Sequence, residues 1–223
     1  GPFDREDIAA AVTHQCWMTL HSLEQIALLE DWLAREERVF SQPLWLKVDT
    51  GMHRLGVSID QLPDAISRLQ ALGVTDLTLI SHLAHGESPD DALTAYQLEQ
   101  WQAVVSTSTL TASLMNSAGL MNQLEGQSDW LRPGYMLYGG KASPRFAELA
   151  LQPVMTLSSA IMATRCVPAG DTVGYGGRWR AERDSVVATI PVGYGDGYPR
   201  TAENGTPVFV DGVICPLVGR VSM

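Results

Sequence analysis

The sequence predicts an α/β protein in which a (β/α)8 barrel domain is followed by an all-β domain. Strand and helix patterns alternate through the first part of the chain with a period of roughly 30 residues, which is typical of parallel strands joined by helices. After about residue 148, helical spacing gives way to short apolar runs separated by glycine-rich turns. A closed barrel needs eight strands and roughly 250 residues, so the barrel is expected to be incomplete here or the sheet open. We predict a partial barrel domain over residues 1–147 and a partial β domain over residues 148–223.

Local signals mark the elements of the first domain. Residues 15–20 form a short apolar strand, and Ser22 with Gln25 matches a capping box that begins a helix reaching about Glu37. Apolar runs predict further strands over residues 44–48, 77–80 and 111–115. Apolar residues at helical spacing predict helices over about residues 59–72 and, after Pro89 and Asp90, to about residue 104.

The second domain is predicted from runs rich in β-branched residues. These runs cover residues 154–157, 159–164, 185–190 and 207–210. Glycine-rich turns lie between them, and two of these turns carry the tyrosines Tyr175 and Tyr194. Tyrosine can act as an acid or base when its pKa falls, although glycine-rich turns alone favour a simple structural role.

Polar residues follow the predicted strands of the first domain. Residues 50–54, His82, the Asn116–Ser117 pair and Arg132 all occupy such positions. Because chemistry in a β/α barrel sits at the carboxyl ends of its strands, we expect a functional site there. Lys47, one of two lysines in the chain, lies inside a strand, and its buried charge must be paired or changed.

Composition and motifs argue against several other classes. The net charge of −10 is unfavourable for nucleic-acid binding, and no apolar run reaches the roughly 18 residues that span a membrane. The three cysteines lie far apart, which favours buried thiols in a reducing compartment. His82 and His85 have the spacing of metal ligands, but no cysteine or carboxylate pair completes the set, so no metal is assigned.

A set of motifs recurs along nearly the whole chain. The segments are KVDTGMHRLG (47–56), SH (81–82), NS (116–117), LRPGYMLYG (131–139), TVGYGG (172–177), VGYGDGY (192–198) and VGRVSM (218–223). Each segment alone is weakly specific, but together and in this order they resemble the alanine racemases. These are fold-type III pyridoxal 5'-phosphate enzymes with a TIM-type barrel followed by a β domain, and they interconvert L-alanine and D-alanine.

The resemblance implies catalytic roles in a two-base mechanism. Tyr175 would be the base on one face of the substrate, reaching into the barrel site of the other subunit of a homodimer. His82 would hydrogen-bond Tyr175, and Arg132 would support His82 and face the pyridine nitrogen of the cofactor. Two nearby cationic groups favour the phenolate. Arg54 would orient the substrate carboxylate or the phenolic oxygen of the cofactor.

The resemblance also implies binding roles. Ser117, with backbone N–H groups around Gly134 and Tyr135, would hold the cofactor phosphate. Tyr194 and the backbone of Met223 would line the path of the substrate from the partner subunit. The Lys47 position is often carbamylated in the family, which would convert its cation into an anion able to pair with Arg54.

One departure from the family pattern is large. The family's Schiff-base lysine belongs to a segment upstream of anything here, and neither Lys47 nor Lys141 fits that role. We therefore expect an internal piece of a longer bacterial cytoplasmic protein, inactive as given.

Three functions remain open from the sequence. The first is a racemase for alanine or another small amino acid. The second is a decarboxylase on the same plan, which would place a carboxylate against the pyridine nitrogen, whereas Arg132 occupies that position. The third is a cofactor-free regulatory or binding fragment, which the intact set of Arg54, His82, Arg132 and Tyr175 disfavours.

Overall fold

The computed structural model describes residues 1–2, 4–38 and 40–223. The chain divides into two compact units, Gly1–Met155 and Thr156–Met223. The sequence pattern changes at about residue 148, and the boundary between the units lies between Met155 and Thr156.

The first unit alternates strands and helices. In chain order its elements are α1 (Arg5–Thr13), β1 (Met18–Leu20), α2 (Leu23–Glu36), β2 (Leu44–Lys47), α3 (Leu62–Ala71), β3 (Leu77–Ile80), α4 (Ala92–Ser106), β4 (Thr111–Ser113), α5 (Ser117–Met121) and α6 (Gly134–Leu137). Within the described residues, β1 to β4 form one parallel sheet in the order of the chain. The predicted alternation of parallel strands with helices is confirmed.

The register of this sheet builds the core on one face. A fully buried row crosses the four described strands and consists of Leu20, Leu46, Leu79 and Ala112. Apolar side chains from α2, α3 and α4 join the same cluster, among them Ile26, Leu69 and Trp101. Burying one such leucine contributes about 1.5–3 kcal/mol, and truncating it to alanine costs about 2–5 kcal/mol.

The other face of the sheet carries, at its carboxyl end, a row in which two polar residues flank an isoleucine. Lys47, Ile80 and Ser113 are register partners on β2, β3 and β4. Because successive strand residues point to opposite faces, Lys47 lies on the face opposite Leu46. The loops that follow these three strand ends carry the polar residues of the candidate site.

Capping side chains set where the helices begin. Ser22 Oγ accepts from the backbone N–H of Gln25 at 3.3 Å, and Gln25 Oε1 accepts from the N–H of His21 at 2.8 Å. The predicted Ser22 cap is therefore confirmed, whereas Gln25 accepts from the residue before the cap and not from Ser22 as in a capping box. The third helix begins later than predicted, at Leu62, because Ser58 and Gln61 exchange side-chain to backbone hydrogen bonds that close a turn ahead of it.

The second unit is built from antiparallel strand pairs. Its strands are β5 (Ala163–Val167), β6 (Thr172–Val173), β7 (Trp179–Arg180), β8 (Ser185–Thr189), β9 (Pro207–Val210) and β10 (Val213–Pro216). In the described chain, β5 pairs with β8, β6 with β7, and β9 with β10. The prediction of a β-rich second domain is confirmed.

Two strand predictions are wrong, one at the boundary between the units and one within the second unit. Residues 154–157 form no strand, because no described strand pairs with them, and Val154 and Leu157 are exposed. The strand predicted over residues 159–164 begins instead at Ala163, where the backbone gains β8 as its partner.

The cysteines are not buried as expected. Cys16 and Cys166 are exposed and Cys215 is partly exposed, and all are free thiols. Cys16 lies after α1 in a loop, and Cys166 lies on a strand whose residues are mostly exposed, so neither reaches the core.

Among the described residues, no helix has both the length and the apolar character needed to cross a bilayer.

Candidate active site

The carboxyl ends of β2, β3 and β4 bring the predicted site residues of the first unit together. Lys47 ends β2, Ser81 and His82 follow β3, and Ser113 ends β4. The segment carrying Arg132 joins the same edge through a parallel bridge between Asn116 and Arg132. Parallel strands deliver polar residues to one edge, so these side chains meet although they are far apart in sequence.

Arg132 is the most constrained side chain of the site. Its Nε donates to Ser113 Oγ at 2.9 Å, and its Nη2 donates to the carbonyl oxygens of Ser81 and, at 3.2 Å, Leu114. Its Nη1 lies 3.2 Å from His82 Nδ1, and the second N–H on Nη1 has no acceptor among the described residues. Burial holds the pKa of Arg132 below its ordinary value.

No carboxylate neutralises Arg132 within the described part of the chain. Its hydrogen-bond partners are hydroxyl, carbonyl and imidazole groups, and none of the described ion pairs includes it. A partly buried cation without a counter-ion loses hydration that no opposite charge replaces, so this position favours an anionic or electron-rich ligand. The free N–H of Nη1 supplies a donor for such a ligand.

His82 is held as a neutral imidazole, so it is not one of the two cationic groups that were expected from the sequence to favour the phenolate of Tyr175. Its pKa falls to about 4, first because burial disfavours the charged ring and then because Arg132, Lys47 and Arg54 are cationic neighbours. Since arginine cannot accept a hydrogen bond, Nδ1 of His82 must be the accepting nitrogen and Nε2 carries the proton. Asn116 Nδ2 is itself a donor, to the carbonyl of Leu83 at 3.1 Å, so its 3.4 Å contact with Nε2 is not a hydrogen bond in this tautomer. His82 can therefore donate from Nε2 to a further acceptor.

Lys47 and Arg54 add positive charge beside this pair. The pKa of Lys47 lies below its ordinary value, first because of burial and then because of Arg132 and Arg54, whereas Asp49 acts in the opposite direction. Arg54 is exposed and makes no hydrogen bond or ion pair with another described residue. The cluster of Lys47, Arg54 and Arg132 around His82 is suited to binding anions.

The loops after β4 supply the predicted phosphate-binding residues. Asn116 Oδ1 caps α5 by accepting from the N–H of Gly119 at 3.0 Å, and Ser117 is buried at the start of that helix. Ser117 Oγ accepts from the N–H of Met136 at 3.1 Å, which joins the start of α5 to α6 and leaves its own proton to donate. The N–H of Gly134 donates to the carbonyl of Arg132 at 2.9 Å.

Open space lies beside Gly134. A Cβ built at Gly134 would have no neighbour within 4 Å, and Tyr135 is exposed. The donor capacity of Ser117 and this open space fit a phosphate group, although Gly134 must give up its turn hydrogen bond to donate to it.

The remaining predicted site residues lie in the second unit. Tyr175 is exposed and begins a short 3-10 turn flanked by Gly174 and Gly176, whose φ values of 74° and 75° disfavour any side chain larger than glycine. The N–H of Tyr194 donates to the carbonyl of Ser222 at 3.0 Å, and Gly195 donates to the carbonyl of Met223 at 2.8 Å. Tyr194 and Met223 are thus brought together, as their predicted shared role requires.

The sequence argument missed three residues that hold the site. Ser113 receives the Nε donor of Arg132, and its place in register with Lys47 is a signal that strand alternation could have supplied. Gln97 is fully buried on α4, where it accepts from the N–H of Ala84 at 2.8 Å and donates to the carbonyl of His82 at 3.0 Å. Asp49 organises the loop that carries Arg54.

The architecture and the site define a class of protein. A parallel β/α sheet with a cationic cluster at its carboxyl edge, followed by a β unit with exposed tyrosines, is the arrangement of a β/α-barrel enzyme with an appended β domain. Comparison with known families gives the particular family. Residues 1–142 match the model of the alanine racemase N-terminal domain, and residues 154–223 match that of the C-terminal domain. The chain belongs to the alanine racemase family.

Individual relatives agree with this assignment. The alanine racemase of Photobacterium profundum is 42% identical over 231 residues, covering all of this chain and 63% of the relative. The crystal structure of the biosynthetic alanine racemase from Pseudomonas aeruginosa matches with a TM-score of 0.88 and 39% identity over 99% of this chain and 62% of that one. The chain therefore spans less than two thirds of the length of these relatives.

One structural relative bears on the cofactor. The alanine racemase from Bartonella henselae, whose structure contains covalently bound pyridoxal phosphate, matches with a TM-score of 0.79 and 29% identity. The match covers all of this chain and 61% of that one. The TIM-barrel and β-domain architecture predicted from sequence is confirmed by these family and structural matches.

Proposed function

We propose that the protein to which this chain belongs interconverts L-alanine and D-alanine with pyridoxal 5'-phosphate as its cofactor. The observation that carries the proposal is the partly buried Arg132, bonded to neutral His82 and without a described carboxylate partner. Membership of the alanine racemase family supports alanine as the substrate.

The residues present fit this cofactor. Ser117 has a buried hydroxyl that can donate to a phosphate, and the space beside Gly134 and Tyr135 leaves room for it. The free N–H of Arg132 can face a pyridine nitrogen, and an arginine there does not hand over a proton. When bound, pyridoxal phosphate acidifies the Cα–H of an attached amino acid.

The proposed roles of the other residues follow from their charge. Arg54 binds the substrate carboxylate or the phenolic oxygen of the cofactor, because its guanidinium has no described protein partner. Tyr175 moves the Cα proton at its phenolic oxygen, and His82 donates to that oxygen through Nε2. Donation to the phenolate favours its charged form, which is the form that can act as a base.

Lys47 is proposed to be carbamylated. Its neutral amine would add to carbon dioxide and lose a proton, giving an anion able to pair with Arg54. Burial and the two nearby arginines hold the pKa of Lys47 low, which increases the share of the neutral amine that this addition requires. The resulting anion would offset the excess of positive charge in the cluster.

The site is proposed to be shared between two subunits. Tyr175, Tyr194 and Met223 would come from one subunit of a homodimer and the barrel residues from the other. The second base of the mechanism is a lysine that the family resemblance assigns outside the matched segments. A location in the bacterial cytoplasm stays a prediction from the sequence.

The proposal is tested with the purified full-length protein and added pyridoxal phosphate. L-alanine and D-alanine are incubated separately and analysed by chiral chromatography. Both are expected to reach the same equal mixture of enantiomers, because enantiomers have equal free energies. Release of carbon dioxide, faster conversion of another small amino acid, or no conversion of alanine would contradict the proposal.

A further inference from the structure

Residues 49–57 form a loop that closes on the end of β2. The N–H of Asp49 donates to the carbonyl of Val57 at 2.9 Å, and the N–H of Val57 donates to the carbonyl of Lys47 at 2.8 Å. These paired bonds fix both ends of the loop beside Lys47. Arg54 lies within the loop, on the exposed side.

The carboxylate of Asp49 holds the interior of this loop. Its Oδ1 accepts from the backbone N–H groups of Gly51, Met52 and His53, each at 3.0 Å. Its Oδ2 lies 3.1 Å from His53 Nδ1. Burial alone would raise the pKa of Asp49, but the backbone donors and His53 outweigh it, so the pKa lies below the ordinary value.

The conformation held in this way is one that most residues avoid. His53 has a φ of 53°, and Gly51 and Gly56 have φ values of 124° and 131°. A Cβ on Gly56 would lie 2.6 Å from the backbone nitrogen of Asp49 and 2.8 Å from the carbonyl carbon of Val48. For a residue other than glycine, such backbone persists only where surrounding contacts stabilise it, and Asp49 supplies two at His53, to its N–H and to Nδ1.

Arg54 acts on the site from this loop. The loop that carries it is bonded to the carbonyl of Lys47, and Arg54 is among the cationic groups that lower the pKa of both Lys47 and His82. It gains no hydrogen bond from a described residue to hold it there. The position of Arg54 is therefore set by the backbone of the loop.

We propose that Asp49 is a positioning residue, which fixes the loop so that Arg54 is in place before an anionic substrate or cofactor group binds. The inference rests on the proposed function for the role of Arg54. Holding a binding group in advance lowers the entropic cost of binding, and small displacements of such a group are expensive.

Kinetic measurements on the full-length protein test the link between Asp49 and Arg54. Asp49→Ala is expected to raise KM and lower kcat/KM about 100-fold, while Asp49→Asn, which keeps the Oδ1 acceptor, retains activity within about tenfold of wild type. In an Arg54→Ala background, adding Asp49→Ala should lower kcat/KM further by less than about threefold. Additive losses in the double variant, or no rescue by asparagine, would overturn the inference.

Hydrogen exchange supplies a second readout that does not depend on activity. Asp49→Ala should accelerate amide exchange in residues 50–56 while leaving α3 and β3 protected. Asp184→Ala is the matched control, because Asp184 also accepts a backbone N–H, from Ala169 at 2.9 Å, but lies in a turn of the second unit. This control should leave both the loop and kcat/KM unchanged.

The two proposals fail in different ways. If the wild-type protein does not convert alanine, the proposed function is wrong, and the exchange measurement alone decides whether Asp49 holds the loop. If wild type is active but Asp49→Ala exchanges like wild type in residues 50–56, the inference about Asp49 is wrong and the proposed function stands.

Discussion

Arg132 and His82 form a pair in which an arginine donates to an imidazole, with 3.2 Å between Nη1 and Nδ1. The pair joins the loop after β3 to a segment 50 positions further along the chain. It makes Nδ1 the accepting nitrogen of His82 and leaves the proton on Nε2.

Replacing Arg132 with glutamine should raise the pKa of His82 from about 4 toward its ordinary value. The change removes one of the cations that disfavour the charged ring and admits water to it. An NMR titration of the His82 ring measures the shift. Arg35→Gln is the control, because Arg35 is exposed and pairs with Asp31 on α2. An unchanged His82 pKa in Arg132→Gln would contradict the electrostatic account.

The low pKa of His82 predicts how stability depends on pH. The unfolded ring titrates near 6.5 and the folded ring near 4, so between these values the unfolded state binds more protons. The contribution of His82 to the free energy of unfolding is therefore fully present above the pKa of the unfolded state. It is lost as pH falls toward the pKa of the folded state. The free energy of unfolding should rise with pH from 5 to 6.5 by at most about 1.4 kcal/mol per pH unit.

His82→Gln provides the comparison for that slope. Denaturant unfolding of both proteins at several pH values should give a smaller slope for the variant in the same interval. Carboxylates such as Asp49 contribute mainly at lower pH, since their stabilising charge is lost only as pH falls through a depressed pKa. Equal slopes in the two proteins would show that His82 is not the group responsible.

Gln97→Met should destabilise the protein and disturb the segment that carries His82. The substitution leaves the N–H of Ala84 and the carbonyl of His82 without their described side-chain partner, at a cost of about 1–3 kcal/mol. Thermal unfolding measures the cost. Gln102→Met, an exposed position on the same helix, is the control and should change stability by less than about 0.5 kcal/mol. Equal effects of the two substitutions would argue against a supporting role for Gln97.

Arg68→Lys should weaken the link between α2 and α3 without changing catalysis. Arg68 donates to both carboxylate oxygens of Glu30, from Nε at 2.8 Å and from Nη2 at 2.7 Å, and lysine cannot reproduce this fork. The pair is partly exposed, so the expected loss is no more than about 1 kcal/mol. A double-mutant cycle with Glu30→Gln measures the coupling. A change in kcat from this substitution would be unexpected, because neither residue belongs to the site.

Strand and helix positions were largely predictable because they depend on local patterns. Residues 77–80 form a strand with both ends as predicted, since the run is buried on both faces and its neighbours in the chain are polar. Residues 154–157 have a similar composition but form no strand, because pairing requires a partner that composition does not specify. The exposure of Cys166 likewise depends on which face of its strand is covered.

The candidate site was predictable only in part. Lys47, His82 and Arg132 were found because each follows or ends an apolar run, and motif resemblance joined them. The roles of Ser113, Gln97 and Asp49 depend on hydrogen bonds between segments distant in sequence or on the folding of one loop. Such bonds follow from the backbone path, which the periodicity of side chains does not encode.

The central claim is that Tyr175, supported by His82 and Arg132, moves the Cα proton on one face of alanine. The most direct test follows α-proton exchange of L-alanine and D-alanine separately in deuterium oxide by NMR, using full-length wild type and Tyr175→Phe. Net racemisation must fall equally in both directions, because enantiomers have equal free energies, but exchange from each enantiomer reports one base. Tyr138→Phe is the control, since Tyr138 is 67% exposed and Tyr175 is 69% exposed.

The account predicts that Tyr175→Phe loses exchange from L-alanine and retains most exchange from D-alanine, while Tyr138→Phe behaves like wild type. Equal and mild losses from both enantiomers would contradict the assignment of Tyr175 as a base.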